Sequence, residues 1–217
     1  MTRKDLSPVD LETAAPATGT MSRRRLVAGA GLAGLAGALF VDRRVFAAVD
    51  DPAQTDERPN VPTDADSAVL DLVIGFELAV SELYRRKLEA GTGSDALADA
   101  VGVMAENHQA YAQAIAGATG LSAGEANPSL VAALRNGFEG SDEEFFAAAH
   151  EVEQAAVSTH TDALGNYESN EAILVTASIL IAEARHATVL ADLLGVDDLD
   201  VLFGNEQGPL SLTGGDS

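Results

Sequence analysis

Residues 179–194 read ILIAEARHATVLADLL, and this apolar stretch carries Glu183 and His186 three positions apart. On an α-helix, positions i and i+3 project from the same face, so both polar side chains are expected to point inward with Ile179 and Leu190. An inward carboxylate beside an inward imidazole is the unit from which helix bundles assemble di-metal centres. A solvated glutamate and a hydrogen-bonded core histidine give the same pattern, so the other helices must decide between the two interpretations.

The first and third helices also carry polar residues on their apolar stripes. In the first, predicted over 67–90, Glu77 falls on the buried face. In the third, which ends near residue 167, Glu153 and His160 both face inward. Because these two residues are two turns apart, about 10 Å along the axis, we expect them not to bind the same ion unless the helices shift.

The second helix, predicted over 95–116, fits two frames. One frame puts Glu106 and Gln109 inside, and the other puts His108 and Tyr111 inside. The second frame keeps the alternating spacing of three and four residues along the whole apolar stripe, so we adopt it. A satisfied core histidine and a core tyrosine remain the plain alternative for this pair.

The connections between the helices predict the topology. The first two helices are joined by a short turn, as are the last two, where Asn170 is the expected cap of the fourth helix. Residues 117–140 form a much longer connection, with a short helix expected over 128–136. Short, long and short connections are typical of an all-α, ferritin-like four-helix bundle with a long crossover between its second and third helices.

Three segments resemble the exported ferritin-like domain family, including its desiccation-related members: FELAVSELY at 76–84, EQAAVSTHTDAL at 153–164 and ASILIAEARHATVLADLLG at 177–195. The similarity covers about 66–196. It implies two iron or manganese ions, surrounded by a Glu from the first and third helices and an ExxH pair from the second and fourth. Four residues match that pattern, whereas His108 and Tyr111 stand where the family has Glu and His. The matching residues are Glu77, Glu153, Glu183 and His186.

The charge on the buried stripes supports a bound cation. Three carboxylates face one core and no Lys or Arg lies on the stripes, so neutralisation must come from a cation, from protons or from turning a Glu outward. A metal ion satisfies the carboxylates and the imidazoles together. The candidate metal ligands are Glu77, His108, Glu153, Glu183 and His186. We expect iron or manganese and, if the protein is an enzyme, an oxidase-like activity toward oxygen or peroxide; the alternative is a non-catalytic structural or stress-protective bundle that has lost the site.

Composition limits the partners. The 217 residues carry a net charge of −21, no Cys and only two lysines, Lys4 and Lys87. This acidity argues against nucleic acid or an anionic membrane as a partner and resembles the surfaces of halophilic proteins. It also gives no sign of a self-complementary shell interface, so the oligomeric state stays open.

The N-terminal region resembles a twin-arginine export signal. Arg23 and Arg24 precede a Gly- and Ala-rich apolar run and a small-residue cleavage region, so 1–48 is predicted to be a signal peptide, with Met1 and Met21 as alternative starts. The protein is then expected in an extracellular, periplasmic or cell-surface location. An uncleaved signal tethering it to the membrane is the alternative.

Three further boundaries follow from composition. Residues 49–66 are rich in proline and acid and predict a disordered acidic linker. Residues 67–196 form the expected bundle, and 197–217, which end in a glycine-rich stretch, are expected to be a loose tail.

Overall fold

The computed structural model describes residues 58–212, and within that range every regular element is a helix. The helices are α1 (Asp64–Ala90), α2 (Asp95–Thr119), α3 (Pro128–Phe138), α4 (Asp142–Leu164), α5 (Asn170–Leu193) and α6 (Leu199–Phe203). The four long helices predicted from the sequence are α1, α2, α4 and α5. The all-α fold class is therefore confirmed.

Local capping residues set the helix ends. Thr63 and Asp66 form a capping box, so α1 begins three residues before the predicted start at 67. A second capping box, between Ser141 and Glu144, opens α4. The cap of α5 is Ser169, whose side chain accepts from the Ala172 N–H, and not the expected Asn170. Both residues can cap a helix, and the sequence alone did not separate them.

The long connection crosses the bundle with α3 inside it. α1 pairs with α2 and α4 pairs with α5, whereas α3 packs against both α1 and α4. Asn127 caps α3, and its backbone N–H donates to the Gly75 carbonyl of α1 at 3.2 Å. On the other side, the bare Cα of Gly137 lies so close to α4 that an added Cβ would sit 2.4 Å from the Ala148 Cβ. The crossover is thus fixed to both hairpins.

The apolar core consists of two clusters, which take their residues from different stretches of each long helix. One cluster includes Phe76, Leu83, Met104, Phe145, Phe146 and Leu190. The other includes Leu70, Val73, Tyr111, Ile115, Ala163 and Ile179. The change from one cluster to the other lies next to Glu77 on α1, at His108 on α2, at His160 on α4, and at Glu183 and His186 on α5. The two clusters therefore hold one level of the bundle in place from both sides.

The ends of the described chain are attached to the bundle. The Asn170 and Glu171 N–H groups donate to the Pro59 and Asn60 carbonyls at 2.9 and 3.1 Å, so the last part of the predicted linker is fixed to the start of α5. Asp66 reinforces this attachment by accepting from the Glu168 and Ser169 N–H groups at 2.8 and 3.0 Å. The predicted signal peptide and the linker up to residue 57 lie outside the described residues.

Up to residue 212, the tail is attached to the bundle and is not the loose segment that the sequence predicted. It forms α6 and then runs along α4, where the Leu210 N–H donates to Thr159 Oγ1 at 2.9 Å. Leu210 and Leu212 pack against the core. These two leucines and the backbone hydrogen bonds give the tail a docked position that its glycine content did not predict.

Among the described helices, only α5 has the length and apolar composition that a membrane span requires. Its inward face contributes Ile179, Leu190, Glu183 and His186 to the core, whereas Leu174 and Ile181 on the same helix are exposed. This observation is separate from the membrane tether predicted for the signal region.

Candidate metal centre

Glu77 of α1 lies between two histidines. Its Oε2 is 2.8 Å from His108 Nδ1 and its Oε1 is 3.1 Å from His160 Nε2. All three side chains are fully buried. Glu77 therefore joins α1 to both α2 and α4, in the inward orientation that the apolar stripe predicted.

His108 lies at the middle of the cluster. Its Nε2 is 3.0 Å from Glu153 Oε1, opposite the bond from its Nδ1 to Glu77. The same Nδ1 is 3.5 Å from Glu183 Oε1. The frame with His108 and Tyr111 inside is thus the one that the structure adopts, and one imidazole of α2 contacts carboxylates from three other helices.

Glu153 of α4 is held by side chains from three helices. The Tyr84 hydroxyl donates to Oε1 at 2.5 Å, beside the contact with His108. The other oxygen, Oε2, is 3.3 Å from His186 Nδ1. Tyr84 is a member of the cluster that we did not identify from the sequence, although it lies seven positions after Glu77 on the same stripe.

Glu183 of α5 differs from the other two carboxylates because neither of its buried oxygens accepts a hydrogen bond, and its contact with Glu153 becomes a hydrogen bond only when one of the two groups carries a proton. A buried polar group without a partner is costly, and a buried charge without one costs more. Its neighbours are carboxylate oxygens and imidazole nitrogens. These donors suit a divalent cation of the iron, manganese or zinc kind, so the residues present fit a metal ion.

The donor atoms form two groups that share Glu183, and within each group they lie within 4.8 Å of one another. The first group is His108, Glu153, Glu183 and His186, and the second is Glu77, His160 and Glu183. All five predicted ligands are therefore brought together at one level of the bundle. His160 also belongs to the cluster, because it contacts Glu77 on α1. It lies two turns from Glu153, and these two residues belong to different donor groups.

The pKa values reflect this crowding. Burial, together with the Glu153 and Glu77 carboxylates, raises the pKa of Glu183 well above its usual value. For Glu77 and Glu153 burial acts in the same direction, but the neighbouring histidines outweigh it and hold both pKa values below the usual range. Burial lowers the pKa of His108, and the Glu153 and Glu77 carboxylates overcome it and raise that pKa to about 10. Without a cation, the cluster thus keeps a proton on Glu183 and a positive charge on His108.

Tyr111 lies beside the cluster, as the stripe predicted. Its ring stacks on His186 with a centroid distance of 6.1 Å and meets His108 edge-on at 5.7 Å. Its hydroxyl is buried without a hydrogen-bond partner. Burial and the Glu183, Glu153 and Glu77 carboxylates raise its pKa, so the phenol stays protonated.

These features define a class: a helix bundle with a buried carboxylate and histidine cluster at mid-height. The chain belongs to the ferritin-like domain family, whose model matches residues 65–196. The matched range contains the four long helices, apart from Asp64 at the start of α1, and every residue of the two donor groups. Comparison with curated proteins gave no match, and comparison with solved structures gave none either.

Proposed function

We propose that the buried cluster binds iron or manganese, with two cation positions that share Glu183. The observation that carries this proposal is the pair of Glu183 oxygens, which are buried without a partner and belong to both donor groups. His108, Glu153 and His186 complete one position, and Glu77 and His160 complete the other. A bound iron or manganese ion supplies one-electron redox chemistry there, which suits the handling of iron, oxygen or peroxide.

The residues around the cluster would keep the site dry and ordered. Glu77, His108, Glu153, His160 and Glu183 are all fully buried. The Tyr84 hydroxyl bonds one Glu153 oxygen without using a histidine nitrogen of the donor groups, so it can orient that carboxylate with or without a cation. This preorganisation lowers the cost of ordering ligands when a cation binds.

A second candidate function is a non-catalytic structural or stress-protective bundle. The observation that favours it is the charge balance of the cluster itself. His108 bonds both Glu77 and Glu153, and the raised pKa of Glu183 keeps that group neutral. The core is therefore consistent with a folded protein in the absence of any metal.

We further propose that the protein is exported through the twin-arginine pathway and works outside the cytoplasm. The support is the sequence pattern at 22–48, with paired arginines before a weakly apolar run. This pathway carries folded proteins, so it is compatible with both candidate functions.

The substitution Glu183→Gln separates these functions. Wild-type protein, stripped of metal and then supplied with Mn²⁺ or with Fe²⁺ without oxygen, should gain about 2.7 kcal/mol for each occupied position at a metal concentration 100 times Kd. For a domain of this size that gain corresponds to roughly 5–10 °C in Tm. Glu183→Gln should lose most of the bound metal and most of this gain. Metal content by elemental analysis and thermal melts at matched salt give both readouts.

The control is Glu106→Gln, because Glu106 is exposed on α2 and faces away from the cluster. It should bind metal and melt as wild type does. Without metal, Glu183→Gln should be as stable as wild type or more stable, since a buried acid is removed. A wild-type melt that ignores both metals, with an equally stable Glu183→Gln, would reject the metal centre and leave the structural bundle.

A further inference from the structure

The cluster has one side chain that reaches the surface. His186 is 7% exposed, whereas the other members are 0% exposed. Those members are Glu77, His108, Glu153, His160 and Glu183. Within the described part of the chain, the His186 ring therefore forms the boundary between the carboxylates and solvent. A cation that enters from this side passes that ring.

Asn107 holds this ring from α2. Its Nδ2 is 3.0 Å from His186 Nε2, and Asn107 itself is partly buried. The other ring nitrogen, Nδ1, faces Glu153 Oε2 at 3.3 Å. The imidazole of α5 is thus held between an amide on α2 and a carboxylate on α4, and these two contacts fix its orientation.

The two contacts also determine which nitrogen carries the proton. When the Asn107 amide group donates to Nε2, a neutral His186 ring carries its proton on Nδ1 and donates it to Glu153. Nδ1 is the nitrogen that faces the cluster, so a cation can bind it only after that proton has left. The neutral ring then carries its proton on Nε2. If the Asn107 amide turns over, its Oδ1 accepts from that N–H.

An asparagine can serve both states because its side chain has a donor and an acceptor. An aspartate can hydrogen-bond His186 only when Nε2 carries a proton, and a leucine cannot hydrogen-bond it at all. Outer hydrogen-bond partners of ligating histidines set the tautomer and the ring orientation in metal sites. The position of Asn107 at the solvent edge adds a second role, because the same bond holds the ring that cations must pass.

We propose that Asn107 is a positioning residue of the metal centre, which holds His186 at the solvent edge and turns its amide when a cation binds. This inference rests on the proposed function, since it requires that His186 is a ligand. It assigns to Asn107 a role that depends on hydrogen bonding and not on side-chain volume.

Binding of Mn²⁺ to the metal-free full chain tests the role in affinity. We expect Asn107→Leu to weaken binding about 10-fold to 100-fold. Asn107→Asp keeps an acceptor for Nε2–H and should retain most of the affinity. The matched control is Gln113→Leu, which removes an exposed amide from the same helix and should bind as wild type does. Titration calorimetry or Mn²⁺ electron paramagnetic resonance gives the dissociation constants.

Nitrogen-15 NMR of the His186 ring in the metal-free protein tests the proton position, which a purely structural role would not change. The wild type should carry a proton on Nδ1 and none on Nε2, whereas Asn107→Asp should protonate Nε2, because the new carboxylate can only accept a hydrogen bond. This measurement uses only the wild type and Asn107→Asp, so it tests the inference even if Asn107→Leu fails to fold. An unchanged tautomer in Asn107→Asp would overturn the inference.

The binding results separate the two proposals. If the wild type binds Mn²⁺ and Asn107→Leu binds it equally well, the role of Asn107 is wrong and the metal centre stands. If the wild type binds neither Mn²⁺ nor Fe²⁺, the proposed function is rejected and the role of Asn107 falls with it.

Discussion

At the scale of single residues, His160 adds a candidate ligand that the sequence analysis did not include. It contacts Glu77 Oε1 at 3.1 Å and belongs to only one of the two donor groups, whereas Glu183 belongs to both. The family pattern has an ExxH pair on the second helix, whereas this chain has Tyr111 at the position of that histidine. His160, which approaches from α4, supplies the imidazole of the donor group that contains Glu77.

The substitution His160→Gln should therefore reduce the bound metal from two ions per chain to one. The glutamine can keep a hydrogen bond to Glu77, so the fold should be little affected, and the other donor group remains intact. Elemental analysis after gel filtration measures the ratio. His150→Gln is the control because His150 lies on the same helix outside both donor groups. Two ions retained by His160→Gln would contradict the assignment of this residue.

The sequence predicted which residues face inward and that five of them form one site, but not the contacts that His160 and Asn107 make. The alternating spacing placed Glu77, His108 and Glu153 on buried faces, and the structure buries all three. For His160 the spacing along one helix suggested separation from Glu153, because a single helix gives no information on what the neighbouring helices bring near. The contacts of His160 with Glu77 and of Asn107 with His186 both cross between helices. The spacing of residues along one helix carries no information about such contacts between helices.

At the scale of helices, the short α3 depends on a close approach that only glycine allows. Gly137 has no side chain to collide with Ala148 of α4. The length of the connection and the 128–136 segment predicted that a short helix would lie here. Its contact with α4 depends on the distance between the two backbones, which sequence periodicity does not encode.

The substitution Gly137→Ala should destabilise the protein by about 1–3 kcal/mol, because the new Cβ would lie 2.4 Å from the Ala148 Cβ. This cost should exceed the gain of about 1 kcal/mol that Ala offers over Gly in a helix. Urea unfolding measures the difference. The matched control is Gly117→Ala in α2, where no neighbouring atom lies within 4 Å and stabilisation by about 0.4–1 kcal/mol is expected. Equal stabilisation by both changes would show that α3 does not pack on α4 as described.

Asp66 links α1 to the turn between α4 and α5, and its contribution should depend on pH. It accepts from the Thr63, Glu168 and Ser169 N–H groups. Burial alone would raise its pKa, but these hydrogen bonds outweigh burial and lower it. Because the folded-state pKa is lower than that of the unfolded chain, the carboxylate stabilises the fold above the unfolded value of about 3.9. That contribution is lost as pH falls through the folded-state value.

The substitution Asp66→Asn should therefore cost about 1–3 kcal/mol near neutral pH, the range for hydrogen bonds to a charged group. The difference from wild type should shrink below about pH 4, where the wild-type carboxylate also becomes neutral. Urea unfolding at a series of pH values measures it. Asp71→Asn, at an exposed position of the same helix, should show no comparable loss. If the difference in unfolding free energy between wild type and Asp66→Asn stays constant down to the lowest pH, the charge of Asp66 is not its cause.

At the scale of the whole molecule, location is a separate question from fold. We expect that replacing Arg23 and Arg24 by lysine leaves unprocessed precursor inside the cell, since the paired arginines are the feature that the pathway reads. Cell fractionation with an antibody against the bundle detects the precursor by its larger size. The control replaces Arg43 and Arg44, which follow the apolar run, and should be exported normally. Unchanged export of the first variant would reject the signal assignment.

The attachment of Pro59, Asn60 and Asp66 to the start of α5 has a mechanical consequence. If the first residues of the chain hold the protein to another structure, tension along the chain reaches Pro59 and Asn60 before it reaches α1. The hydrogen bonds of Pro59 and Asn60 with Asn170 and Glu171 precede α1 along the chain, so they bear the load first. Glu77 follows more than ten residues later and is reached only after they break. We therefore expect the attachment to shield the cluster from a pull on the N-terminus.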